Sequence, residues 1–238
     1  MQILNFQVSA FGDYNLYEPN SNRIQLLMEA LPDFLPGTLQ AFNIDPNSGT
    51  VKSKLRLQMV NKVNGWRMDI NPDRFDVVYT AIGNVASVTD CKKFADDGVR
   101  YLLEATSVLG IENSNRLAIN ARYAIPVGKV RPSIPFLPTL PKCFKENTEF
   151  TEWTLSLNAK GNVHINRDEP TNEILTWNLG IPTVGSNDFA VLITVDINTT
   201  QSNTTERFQI NSMNTFSSYV VPRMNELVNS ISEVINVR

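Results

Sequence analysis

From Leu55 to Tyr79 apolar and polar residues take turns along the chain, and no other stretch limits the fold as tightly. Leu55, Leu57 and Met59 alternate with Lys54, Arg56 and Gln58; Trp66, Met68 and Ile70 follow, and then Phe75, Val77 and Tyr79. Successive side chains of a strand point to opposite faces, so this period of two describes strands buried on one side. Asn64-Gly65 supplies a tight hairpin, because both residues tolerate positive φ. Asn71-Pro72-Asp73 turns the chain again. The expected kernel is an antiparallel meander with one covered face.

Other elements can be placed around it. Ile3, Phe6 and Val8 mark a strand over 2–9. Asn20 or Ser21 caps a helix carrying Ile24, Leu27, Ala30 and Leu31, which Pro32 and Pro36 stop. Asp90 is expected to cap a second helix over 91–109, with Phe94, Gly98, Leu102, Ala105 and Leu109 on one stripe and Gly110 as its stop. Leu117, Ile119, Ala121 and Tyr123 form another half-buried strand. Further strands are expected at Trp153–Leu157, at Val163 and Ile165 after a Gly161-Asn162 turn, at 174–179 and at 189–197. A terminal helix carries Phe216, Val220, Met224, Leu227, Ile231 and Ile235, with a kink near Pro222.

Prolines 132, 135, 138 and 141 recur every three residues, the repeat of a polyproline II helix. Such a segment is neither helix nor central strand. Ile134, Phe136, Leu137 and Leu140 are too apolar for a solvated linker and must bury against the chain itself or a partner. Pro132, Pro135, Phe136, Pro138 and Pro141 are therefore the candidate partner-binding residues. The fold class expected is α+β, antiparallel sheets covered by helices. Two similar strand-helix lobes are expected, 1–125 and 146–238, joined by the proline-rich crossover 126–145. One large sheet gripping the terminal helix, a single integrated domain, is the competing picture.

The 238 residues carry 21 basic and 24 acidic side chains, a net charge of −3. A protein built mainly to grip phosphates shows a basic excess, so that reading starts behind. One histidine, two cysteines and 11 glycines leave little material for catalysis, metal ligation or phosphate cradles. No GxGxxG or GxSxG occurs, and Gly180–Ser186 lacks the lysine a P-loop needs. No cofactor, metal or catalytic residue is expected. The N-terminus reads as no secretory leader, no segment reads as membrane-spanning, and the thiols suit a reducing compartment, so a cytoplasmic, bacterial or phage-like protein is expected. Pairing of Cys91 with Cys143 is the less favoured reading.

His164 is expected on an exposed strand face, with Asp168 and Glu169 in a turn before Pro170. Asp69, Asp73 and Asp76 crowd the Asn71-Pro72 turn, where they are expected to face water or satisfy turn amides rather than hold a cation. Asp196, late in an apolar strand, needs a partner, and Arg116 or Arg122 is expected to supply a buried ion pair. An unfamiliar enzyme using these three residues is a lesser alternative. Lys52, Lys54, Arg56, Lys62 and Arg67 along the first hairpin are the nucleic-acid candidates. Strand cations also serve simply to block edge pairing.

The element order resembles that of a sporadically distributed family of bacterial proteins of similar length. The matching pieces are Asn64-Gly-Trp-Arg-Met-Asp-Ile-Asn-Pro-Asp-Arg-Phe75, Asn115-Arg-Leu-Ala-Ile119, Val195-Asp-Ile197 and the helix from 212. The resemblance implies the order of strands and helices but no activity and no site residues. The functional expectation is a non-enzymatic interaction or assembly protein with a protein partner or as a homo-oligomer. A nucleic-acid-associated protein is the alternative.

Overall fold

The computed structural model describes residues 1–44, 51–81, 91–128, 153–181, 189–202 and 204–236. Strands run in chain order as β1 (Gln2–Phe11), β2 (Leu35–Pro36), β3 (Leu39–Ile44), β4 (Val51–Asn61), β5 (Trp66–Ile70), β6 (Arg74–Thr80), β7 (Asn113–Ser114), β8 (Arg116–Gly128), β9 (Thr154–His164), β10 (Asp168–Gly180), β11 (Phe189–Thr199) and β12 (Phe208–Gln209). The helices are α1 (Ser21–Ala30), α2 (Lys92–Leu109) and α3 (Ser212–Asn236). The protein is α+β, dominated by antiparallel sheet.

The meander forms as its alternation dictates. Met68 stands opposite Met59 and Val77, and Ile70 opposite Leu57 and Phe75, all on one buried face. The same parity continues across the molecule through Phe6, Val8 and Ala10, then Ile119 and Ala121, then Val195 and Ile197. Backbone pairing joins these strands into one sheet in the order β2-β4-β5-β6-β1-β8-β11-β10-β9, with β3 also on β4. The order is mirrored about β1 and β8: β6, β5 and β4 step outward on one side, and β11, β10 and β9 on the other. Both halves are thus hydrogen-bonded into a continuous sheet.

All three helices lie on the apolar side. α2 packs over β1 and β6, α3 over β8 and β11, and α1 against α2. Asn20 caps α1, its Oδ1 accepting from the Arg23 amide at 2.8 Å. The buried face of α2 is Ala95, Gly98, Val99, Leu102 and Ala105, shifted from the expected stripe, since Phe94 and Leu109 are only partly buried. Gly98 brings the helix close to the sheet: a Cβ there would stand 2.9 Å from Val8 Cγ2. Gly110 ends the helix at φ 69°, a left-handed conformation that favours glycine. Asp90 lies outside the described residues, and Cys91 occupies the cap position without a capping side chain. α3 buries Met213, Phe216, Val220 and Met224 and runs on through Pro222.

Two expectations need correction. Leu55 is 55 % exposed, whereas neighbouring Arg56 is 1 % exposed. The Arg56 guanidinium donates to the carbonyls of Tyr14 at 2.7 Å and Ile70 at 3.1 Å, which draws the cation inward and breaks the alternation there. Gly161-Asn162 is not a turn. β9 passes through it without interruption, paired with β10 from Thr154 to His164, which also puts Asp168 and Glu169 in a strand. Glycine leaves room for its neighbours there, since a Cβ on Gly161 would stand 2.7 Å from Glu173 Oε1 and 2.8 Å from Thr171 Oγ1 and would force them to shift. Gly161→Val is expected to cost about 1–3 kcal/mol through overpacking. Urea unfolding checks this, and a variant as stable as the parent would show that the space can be vacated.

The uncovered face of the sheet as candidate functional site

Opposite the helices the sheet presents a second face, made by the other residue of every alternating pair. Its composition is different. Following the register from edge to edge, one row reads Gln58, Asp69, Asp76, Ser9, Ala118, Asn198, Asn172 and Lys160. A neighbouring row reads Thr80, Asn5, Arg122, Thr194, Thr176 and Ser156. The first row crosses eight strands, about 34 Å at ~4.8 Å per strand.

These side chains bond one another along the rows. Asp76 Oδ1 accepts from Ser9 Oγ at 2.6 Å and Gln7 Nε2 at 2.9 Å, and its Oδ2 from Arg74 Nε at 2.7 Å. Asp69 accepts from Gln58 Nε2 and Arg67 Nε, both at 2.7 Å. The two carboxylates stand directly opposite across β5 and β6, an arrangement of like charges that ordinarily opposes pairing. Here each has an arginine two residues earlier on its own strand. On the far half, Asn172 Nδ2 donates to Asn198 Oδ1 at 3.1 Å, Asn198 Nδ2 to Asp196 Oδ1 at 3.0 Å, and Lys160 to Asn172. Near one end Phe11 lies between two guanidiniums, Arg116 at 4.5 Å and Arg74 at 5.8 Å from its ring centroid. Burial lowers the Arg116 pKa, against the opposing pull of Asp196.

The carboxylates Asp69 and Asp76 therefore differ from expectation. They are 8 % and 3 % exposed and are held by side chains of four strands rather than by turn amides or water. The expected buried ion pair is also corrected. Asp196 is half-buried and pairs across the strand with Asn120, while Arg122 is exposed and faces Thr194. Arg116 and Asp196 feel one another's charge, but among the described residues no ion pair joins Asp196 to either arginine.

Of the hairpin cations, Arg56 is inside the fold, Lys54 meets Glu18 at 2.5 Å, and Arg67 is bonded to Asp69. Lys62 is exposed at the turn, and only the backbone of Lys52 is described. His164 is exposed as expected, with Nδ1 2.8 Å from Asp168 Oδ1. Pro132, Pro135, Phe136, Pro138, Pro141 and Cys143 lie outside the described residues. Cys91 is buried beside Asn225, with Sγ 3.4 Å from its Oδ1.

A second polar cluster lies beneath α3, on the helix-covered side of β10. Glu169 sits between Arg167 Nε at 2.7 Å and Arg207 Nε at 3.2 Å. Glu173 accepts from Arg223 Nε at 2.9 Å and Tyr219 Oη at 3.2 Å. Burial and the Glu173 charge raise the Tyr219 pKa. The signal was present in the sequence: Glu169, Thr171 and Glu173 share the parity of Leu175, Trp177 and Leu179, and so are polar residues on an apolar face. Both glutamates serve to fasten α3 and the preceding loop to the sheet.

What the geometry defines is an α+β protein with one large antiparallel sheet, a two-stranded pair of β7 and β12 beside it, helices on one side of the large sheet and polar rows on the other. Compared with family models, curated proteins and solved structures, the chain matches none. Among the described residues no helix is long and apolar enough to cross a membrane.

Burial outweighs the bonds from Ser9, Arg74 and Gln7 and holds the Asp76 pKa above the ordinary aspartate value of 3.8. The folded chain thus binds this proton more tightly than the unfolded one. The stabilisation it contributes is full below the unfolded pKa and lost as pH rises through the folded one. Relative to Asp76→Asn, the parent is expected to lose stability as pH climbs from about 4 toward neutrality. Denaturant unfolding of both proteins across that range measures the difference, and parallel curves would contradict the assignment.

Proposed function

We propose that the chain is a non-enzymatic interaction protein that docks a protein partner on the uncovered face of its sheet. One observation carries this reading: a row that is polar on seven of its eight strands, Ala118 being the exception, crosses the sheet on the side that no helix covers among the described residues. A sheet with one face solvated needs no such width of ordered amides and ion pairs for its own stability, since isolated surface pairs contribute little. Toward its margins the face keeps Gln58 and Asn172 half-buried and Lys160 exposed, and Arg122 is exposed near its middle. Its donors and acceptors are pre-positioned by neighbours, which lowers the ordering cost of association.

A protein partner is favoured over nucleic acid by the alternation of sign. Arg67 with Asp69 and Arg74 with Asp76 place opposite charges within each strand, whereas a phosphate backbone calls for cations alone. The continuous sheet, in which β8 (Arg116–Gly128) pairs with β1 on one side and β11 on the other, supports the single integrated domain over two lobes divided at 125, with the proline-rich 126–145 as a further contact arm. The lesser alternative, a nucleic-acid protein using the 52–67 hairpin, has Lys54 and Lys62 as its exposed cations.

Arg122 is exposed near the middle of the face, so Arg122→Glu is expected to abolish co-purification of any partner without changing thermal stability. Lys62→Glu, at the hairpin turn, is expected to leave it intact. Tagged parent and variants, compared by pull-down and melting, provide the readout. Equal capture by Arg122→Glu would remove the sheet face from the interaction. Salt-sensitive retention of DNA or RNA in a gel shift, lost in Lys62→Glu, would transfer the function to the hairpin.

A further inference from the structure

The two margins of the sheet are built differently. On one, the outer side of β4 is closed by β3 along Val51–Arg56 and by β2 at Met59 and Val60, with Pro36 in the capping strand. The opposite margin is β9, paired only with β10 among the described residues. β9 is eleven residues long, about 37 Å, and its register with β10 has no bulge. It holds no proline and a single lysine, Lys160. From Ser156 to Lys160 its residues are exposed on both faces, Leu157 at 59 %, while Val163 toward its end is buried. Short strands, prolines, bulges, charged side chains and a covering helix or loop are the usual means of blunting an edge, and among the described residues β9 shows only Lys160 of these.

We infer that β9 is a self-association edge that pairs antiparallel, about a two-fold axis, with β9 of a second copy of this chain. A bare edge offers a row of backbone donors and acceptors that another strand complements. A two-fold pairing is self-complementary, so any residue offered is also the residue received. Centred on Leu157, the register sets this exposed leucine against its own counterpart. Leu155 then faces Ala159 of the second copy, Asn158 faces Ser156, and Lys160 faces Thr154. No like charges meet, and the apolar side chains on the helix side of β9 cover one another. The sheet becomes continuous across the axis, and so does its polar face. This pairing does not depend on that face having a partner.

The test is solution mass by light scattering over a micromolar-to-millimolar series. The parent is expected to approach twice the chain mass of 26.7 kDa. Leu157→Lys sets two lysines against each other and is expected to return the mass to that of one chain, with an unchanged far-ultraviolet spectrum. Leu157→Cys in a Cys143→Ser background is expected to cross-link to itself under mild oxidation, and Asn158→Cys, on the other side of the strand, not to. The cysteine pair decides the matter if Leu157→Lys unfolds. A parent that stays at one chain mass overturns the inference. So does a folded Leu157→Lys that keeps twice that mass, or equal cross-linking at 157 and 158. Arg122→Glu is expected to leave the mass unchanged, which separates failure here from failure of the sheet-face reading.

Discussion

The backbone ladder between β1 and β8 is the constraint on which the rest depends. β1 pairs on its other side with β6, and β8 with β11, so this one ladder turns two four-stranded groups into a single sheet. Phe6, Val8 and Ala10 thereby come to lie beside Ala121, Ile119 and Leu117 at the centre of the core. Buried on the helix side, these strands satisfy one another's backbone groups along the ladder. The adjacency also brings α2 and α3 together on one side, since each packs on the inner strands of its own half.

Joining the halves in this way has a chemical consequence. Most apolar positions point toward the helices, with a smaller cluster of Leu4, Ala124, Ala190 and Leu192 on the other face, and the alternate positions align into rows that run across the sheet. Residues distant in sequence become lateral neighbours: Ser9 meets Asp76 and Ala118, and Asn198 meets Asn172. Hydrogen bonds along these rows hold amides and carboxylates in place and fix where each donor and acceptor is presented. The polar face and the core are two outcomes of the same register, and a slip of one residue would exchange them.

Much of this was legible in the chain. The meander from β4 to β6, the cap at Asn20, the stop at Gly110 and the long terminal helix all follow from local rules of periodicity and turn chemistry. Errors arose where a long-range partner overrode the local signal. Arg56 is buried because the carbonyls of Tyr14 and Ile70 converge on it, and Gly161 lies mid-strand because Glu173 and Thr171 occupy the space a side chain would need. The Asp69–Asp76 pair was visible as a cluster of acids near a turn. Its character was not, because the Gln7, Ser9 and Gln58 side chains that hold it come from β1 and β4.

The sequence by itself determined which residues share a face along most of each strand, Leu55 and Arg56 excepted, because alternation is a property of the extended backbone and needs no partner. It determined the start of α1 at Asn20 and the stop of α2 at Gly110 for the same local reason. The likeness in element order expected between its two halves is a pattern of the sequence alone, and α1 has no counterpart in the second half. Only the tertiary structure decided that those halves share one sheet, and which polar residues meet across it. Strand neighbours separated by tens of residues are chosen by the burial of whole faces, a free energy summed over the entire core, and no local window of residues contains that sum.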